Sequence, residues 1–322
     1  TYKQCQVVLD LAKALAERDP ELAAAYGLEG NQSMSNSTNT LRPRRSVLYM
    51  PGANERALEK AKTLETDALI LDLEDAVAPD AKAEARDRVC AAARSGEYGN
   101  REITIRINGL GTAAVAAKPA AIVVPKVNSA DEVRQLDAAI TAAGGGDDVK
   151  LWAMIETPEA IRNVTAIASA SDRLTVLVMG TNDLVAELHA VHVPGRAPIL
   201  TALSLSVLAA RDAGKVILDG VYNDVKNAEG FEAECLQGRQ FGFDGKTLIH
   251  PSQLEPANRL FAPSPSEVEH ARAVISAFDD ATAQGKGVAT VNGKLIENLH
   301  VADAHRILAV AATAGIVVNA AP

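Results

Sequence analysis

Eight short apolar runs, separated by stretches patterned as helices, constrain the fold of this chain more than any other feature. They are RSVLYMPG (45–52), ALILDLED (68–75), EITIRING (102–109), AIVVPKV (121–127), KLWAMIET (150–157), LTVLVMGTND (174–183), KVILDGVY (215–222) and GKTLIHP (245–251). The intervening stretches, such as NERALEKAKTL, SADEVRQLDAAITAA and TPEAIRNVTAIASA, repeat apolar residues at intervals of three and four, as a helix with one buried face does. Strands that are apolar throughout, rather than alternately, are covered on both faces. Eight of them alternating with helices predict an α/β fold, a parallel sheet closed into a (β/α)8 TIM barrel. A doubly wound open sheet is the competing arrangement.

A chain of 322 residues with 48% hydrophobic content can bury a core of that size. Its formal net charge of −9 argues against a nucleic-acid surface, because non-specific phosphate binding needs clustered Lys and Arg. No run of 18 apolar residues marks a membrane span, and no charged-then-apolar leader is present. Cys5, Cys90 and Cys235 are widely spaced and form neither a CxxC nor a His-paired pattern, so a reducing cytoplasm is expected and a disulfide framework is not.

Three segments are predicted. Residues 1–40 read as an extension or linker, native or appended: a helix-patterned stretch, the polar run NQSMSNSTNT, and Met34 as an alternative start. Residues 41–262 hold the barrel. Residues 263–322, with the Gly-rich turn QGKGVATVNGK and a last helix, form a C-terminal extension suited to a lid or a subunit contact.

Barrel enzymes carry their chemistry at the carboxyl ends of the strands. Here those ends read Pro51-Gly52, Asp72, Glu74, Asp75, Arg106, Asn108, Lys126, Glu156, Asp183, Asp219 and His250. Glu156 and Asp183 follow consecutive strands, so they either converge as hard oxygen ligands for Mg2+ or cap the helices that follow. Successive residues on a strand face opposite ways, so Asp72, Glu74 and Asp75 cannot all face the mouth; at least one is expected to hold a neighbouring cation. Arg106 is placed either to grip a substrate carboxylate with two hydrogen bonds or to pair with that acidic cluster. Lys82 and Arg86 share a helix face that either binds phosphate or is merely solvated. His250 is a hydrogen-bond donor near the site or a structural residue.

The motifs RRSVLYMPGANERALEKA, LILDLEDAVAPDAKAEAR, RING, VVPKV, MIETPEAI, MGTNDL, GFDGKTLIHPSQ and FAPSPSEVEHA, in this order, together resemble the citrate lyase beta-subunit-like group of the HpcH/HpaI aldolase superfamily. The resemblance runs from about Arg44 to about Ala312 and is greatest to the malyl-CoA lyase and malyl-CoA thioesterase branch. It implies a (β/α)8 barrel assembled as a homotrimer or homohexamer. It also implies chemistry on 3-hydroxyacyl-CoA thioesters with Mg2+, or Mn2+ in its place. The expected products of carbon–carbon cleavage are acetyl-CoA and an oxo-acid such as glyoxylate; thioester hydrolysis is the alternative net reaction. Class II aldolase chemistry on free oxo-acids, or service as the beta subunit of a citrate lyase complex, are further alternatives.

Carried onto this sequence, the resemblance makes Glu156 and Asp183 the metal ligands, with Glu74 and Asp75 supporting the metal's water shell. Arg106 binds the oxo-acid carboxylate, and Asp75 and Arg106 count among the catalytic residues. Arg45, Lys82, Arg86 and His250 approach the substrate, the first three on the coenzyme A side. Where relatives carry Asp in a GKMID segment donated to a neighbouring subunit, GKLIENLH places Glu297, one methylene longer, as the acid/base. The stretch GLGTAAVAAKPAA is also shorter after GT than the resemblance leads one to expect.

Overall fold

The computed structural model describes residues 42–108 and 112–316. The reading of residues 1–40, and part of the loop around Thr112, lie outside the described residues. Eight parallel strands close into a barrel in chain order: β1 (Ser46–Pro51), β2 (Ala68–Asp72), β3 (Glu102–Arg106), β4 (Ala121–Val124), β5 (Lys150–Ile155), β6 (Leu174–Met179), β7 (Val216–Asp219) and β8 (Gly245–Leu248). Closure is made by β1 against β8, with Val47 opposite Thr247. The predicted barrel is therefore the observed one, and the open sheet is excluded.

Alternation along each strand sorts the apolar residues into two clusters. Val47, Ala68, Ile70, Val123, Trp152, Met154, Val176, Val178 and Leu218 fill the barrel interior. Leu48, Leu69, Leu71, Ile105, Ile122, Ile155 and Leu177 face the surrounding helices. Both faces are covered, which is why the strands read as continuous apolar runs. Extending the same period of two past the apolar residues puts Asp72, Arg106 and Glu156 on the inner face at the carboxyl end of β2, β3 and β5.

The opposite end of the barrel is closed by side chains. Arg44 donates from Nε and Nη2 to the two carboxylate oxygens of Glu102 at 2.6 and 2.8 Å. Its guanidinium carbon lies 5.5 Å from the centroid of the buried Trp152 ring.

Several helices start where the sequence supplies a capping side chain. Asn54 caps α1 (Glu55–Ala61), and α2 (Lys82–Arg94) and the short α3 (Thr112–Ala116) follow. Ser129 caps α4 (Ala130–Ala142), and Thr157, with Pro158 at the first helical position, caps α5 (Pro158–Ala168). The outer layer continues with α6 (Thr181–Glu187), α7 (Leu200–Asp212), α8 (Ala228–Phe241) and α9 (Leu254–Leu260).

The C-terminal extension is α10 (Pro265–Ala283), a two-stranded antiparallel hairpin, β9 (Ala289–Val291) and β10 (Lys294–Ile296), and α11 (Asn298–Thr313). It has a small core of its own around Val274, Val291, Ile296 and Ala304. Arg239 of α8 ties it to the barrel through both carboxylate oxygens of Glu267 at 2.6 and 2.7 Å. The hairpin replaces what the composition suggested was a Gly-rich turn. Its tip is Asn292-Gly293, both at positive φ (50° and 75°), the pair favoured where two central turn residues must be left-handed.

Candidate active site

A cavity of about 310 Å³ opens at the carboxyl ends of the strands, lined among others by Tyr49, Asp72, Asp75, Arg106, Met154, Glu156, Gly180, Thr181, Asp183 and Thr247. Glu156 and Asp183 thus share one cavity. The competing role for Glu156 is excluded, because Thr157 and not Glu156 caps α5. Asp183 sits in the first turn of α6, where a negative charge suits the helix dipole as well as a ligand.

Glu156 is fitted into the wall of the mouth. A β-carbon on Gly180 would stand 2.1 Å from Glu156 Oε2 and 2.4 Å from its Cβ, so only glycine lets the chain between β6 and α6 pass this side chain. Lys126 turns into the left-handed region at φ 52° and thereby aims its backbone N–H at Glu156 Oε1, 2.7 Å away. The ammonium of the same residue lies 3.2 Å from Asp183 Oδ1. Burial pushes the Glu156 carboxyl up to about 7; the Lys126 N–H opposes this, and the charges of Asp183 and Glu74 add to it.

The acidic cluster closes on Arg106. Asp72 accepts from Arg106 Nε and Nη2, both at 2.7 Å, and from the backbone N–H groups of Glu74 (2.9 Å) and Ala76 (3.1 Å). Glu74 Oε2 lies 2.6 Å from Arg106 Nη1, and the exposed Asp75 lies 3.5 Å from it. Burial, with Asp75 and Asp72 beside it, holds the Glu74 carboxyl above its ordinary range despite the pull of Arg106. Arg106 thus makes the ion pairs that the cluster called for and still borders the cavity.

Other sequence-predicted residues lie elsewhere. Arg45 precedes β1 at the amino-terminal rim, where it holds Asp67 with Nε at 2.9 Å and Nη2 at 2.8 Å. Lys82 donates from Nζ to the carbonyl oxygens of Leu73 and Glu74, both at 3.0 Å, and so braces the loop after β2. Arg86 is exposed on α2. His250, exposed, accepts from the Ser252 N–H at 3.2 Å at the start of a short 3-10 turn, while its neighbours Thr247 and Ile249 line the cavity. Glu297 is exposed at the start of α11 and is not among the residues lining its own chain's cavity.

Asp219, read as another mouth residue, faces the helices instead. It is fully buried between Arg196 (2.6 Å) and Lys246 (3.0 Å), and Lys246 also holds Glu234 at 2.8 Å. Leu218 points inward, so the next residue points outward. Sequence reasoning gave no role to Tyr49, Gly180 or Lys126. The period of two, carried through Val47, would have turned Tyr49 inward.

Around the mouth, five carboxylates (Asp72, Glu74, Asp75, Glu156, Asp183) face two cations, Arg106 and Lys126. Among the described residues no group of three or more His, Cys, Asp or Glu is placed to hold a metal ion. Two hard oxygen donors beside an open cavity, with an excess of negative charge and no His or Cys, are the donor set that suits Mg2+ or Mn2+, which keep water or substrate in their remaining positions.

A family model for HpcH/HpaI aldolase/citrate lyase matches residues 45–251. Over 275 residues the chain is 48% identical to a (3S)-malyl-CoA thioesterase of Cereibacter sphaeroides strain KD131, a match covering 83% of this chain and 94% of that protein. It is 35% identical over 288 residues to the citrate lyase subunit beta of Escherichia coli K12, covering 85% of this chain and 95% of that one. Among solved structures, the protein CitE from Mycobacterium tuberculosis in complex with magnesium, acetoacetate and coenzyme A aligns with a TM-score of 0.67 at 26% identity, over 86% of this chain and 99% of that chain. With barrel, mouth and matched motifs in agreement, the chain belongs to the HpcH/HpaI aldolase/citrate lyase family of enzymes.

Proposed function

We propose that this chain is a Mg2+-dependent enzyme acting on 3-hydroxyacyl-CoA thioesters of the malyl-CoA type, with thioester hydrolysis as its net reaction. The observation that carries the reading is the pair of carboxylates, Glu156 and Asp183, in one cavity at the barrel mouth. Hydrolysis is favoured by the 48% identity to a (3S)-malyl-CoA thioesterase over nearly the whole of that protein. Carbon–carbon cleavage to acetyl-CoA and glyoxylate is the second reading, supported by the 35% identity to a citrate lyase beta subunit.

Glu156 and Asp183 would hold the cation, which when bound supplies a Lewis acid for the carboxylate and 3-hydroxyl oxygens of the substrate. Asp72 fixes the plane of the Arg106 guanidinium, whose remaining N–H groups orient the substrate carboxylate. Glu297 of a neighbouring copy takes a proton from water as its oxygen attacks the thioester carbonyl. The C–S bond breaks, and the proton passes to the departing thiolate. This role needs a homotrimer or homohexamer in which one copy's extension reaches the next copy's mouth, which fits Glu297 not lining its own chain's cavity.

The cytoplasm is the compartment proposed: Cys90 and Cys235 are free thiols, and among the described residues no helix is long and apolar enough to cross a membrane. The test is incubation of the purified chain, without any partner, with malyl-CoA and Mg2+, trapping glyoxylate with phenylhydrazine and titrating free thiol in parallel. Thiol with malate is expected; glyoxylate without thiol selects the second reading. Turnover of free oxo-acids alone, or no turnover of any CoA thioester, refutes both.

A further inference from the structure

Tyr49 lies on the inner face of β1 and lines the mouth cavity. Its ring lies against the guanidinium of Arg106, whose carbon is 4.9 Å from the ring centroid, a cation–π contact that fixes both groups. Arg106 is paired with Asp72 and Glu74 and keeps further N–H groups toward the cavity, and Glu156 Oε1 accepts from the Lys126 N–H. The Tyr49 hydroxyl makes no hydrogen bond to any described residue, although the charges closest to it are those of Arg106, Glu156, Asp72 and Glu74. Burial holds it well above the usual phenol range, so it keeps its proton and can only donate to an anion. The half-buried hydroxyl therefore faces the cavity with its donor free for a ligand.

We propose that Tyr49 is a specificity-determining residue, its hydroxyl donating a hydrogen bond to the carboxylate at the acid end of the substrate beside Arg106; this rests on the function proposed above. A cavity of about 310 Å³ accepts a small dicarboxylic acyl group but not the bulk of coenzyme A, so the acid end is the part that reaches Tyr49. Tyr49 and Arg106 then offer one neutral and one charged donor side by side. A carboxylate accepts from both; a methyl group in the same place accepts from neither.

Tyr49→Phe retains the ring against Arg106 and deletes the oxygen alone. Wild type and variant are compared on malyl-CoA and on 3-hydroxybutyryl-CoA, which ends in a methyl group, with Mn2+ binding followed by calorimetry. The expected result is a KM for malyl-CoA raised about 10- to 100-fold, the loss of one hydrogen bond to a charged group. The preference over 3-hydroxybutyryl-CoA should fall by the same factor, with Mn2+ affinity and melting temperature unchanged. An unchanged preference, or a loss confined to Mn2+ affinity, overturns the proposal.

Binding of glyoxylate in the presence of Mn2+ separates this idea from the function it rests on. If wild type turns over no thioester, the functional reading fails, while weaker glyoxylate binding by Tyr49→Phe still supports the role of the hydroxyl. Equal glyoxylate binding by the two proteins, or none by wild type, rejects it.

Discussion

The ammonium of Lys126 stands 3.2 Å from Asp183 Oδ1, on the residue whose own N–H reaches Glu156. A single side chain therefore supplies the positive charge that a divalent ion would bring. Both partners are partly exposed, so the pair is worth no more than about 1 kcal/mol. Lys126→Met should tighten Mn2+ binding by about 2- to 5-fold, because the competing charge is gone. Calorimetric titration of both proteins checks this; weaker binding in the variant would mean that Lys126 organises the site and does not compete for it.

Glu156 sets a pH dependence whose sign follows from its raised carboxyl, at about 7 against an ordinary 4.5. The folded chain holds this proton more tightly than the unfolded one. Its contribution to stability is complete below about pH 4.5 and is lost as pH rises through about 7. In chelator, the melting temperature should fall between about pH 5 and pH 8, and Glu156→Gln should flatten that fall. Added Mg2+ should stabilise wild type more at about pH 8 than at about pH 6, since the ion needs the carboxylate. A chelated profile identical in wild type and variant would refute the assignment.

Gly180→Ala places a methyl group 2.1 Å from Glu156 Oε2. The chain there cannot yield easily, so the carboxylate must leave its position. Mn2+ affinity should drop at least about tenfold, while stability falls by about 1–3 kcal/mol, the usual cost of overpacking. Retained affinity in calorimetry would show that the carboxylate has another place from which to bind.

Removing Arg106 leaves Asp72 almost fully buried and without its partner. Arg106→Met should cost about 3–5 kcal/mol in denaturant unfolding, and adding Asp72→Asn should recover part of that loss. Strictly additive effects of the two changes would count against the pair acting as a unit.

Glu297→Gln and Asp183→Asn should each be inactive, the first with Mn2+ binding intact. Mixing the two after dissociation should restore activity, since some mouths then combine an intact Asp183 with an intact Glu297 from a neighbour. No recovery, with mixed assemblies demonstrated, would remove Glu297 from the reaction.

The barrel was legible because strands covered on both faces leave continuous apolar runs, and all eight runs became strands. That Glu156 and Asp183 share the mouth cavity was legible because polar residues directly after such runs fall at the strand ends. The same continuity hides which way each residue points, so Asp219 looked equivalent to Glu156 while facing the opposite layer. What Arg45 and Lys82 pair with was not legible for a related reason: their charge is visible in sequence, but their partners, Asp67 and the carbonyls after β2, are a matter of three-dimensional proximity. The Asn292-Gly293 hairpin was the readable feature passed over, its turn signal masked by the glycines around it. Lys126 was visible as a strand-end residue, but the N–H it turns toward Glu156 was not, because its left-handed backbone is not written in its side chain.

Arg44, Glu102 and Trp152 make the barrel a vessel with one door. Traffic through a single door is a queue: whatever settles against Tyr49 goes in ahead of the bulk behind it and comes out after it. For any reaction that splits its substrate here, the small acid is the last product released, and it alone should inhibit competitively against the incoming thioester.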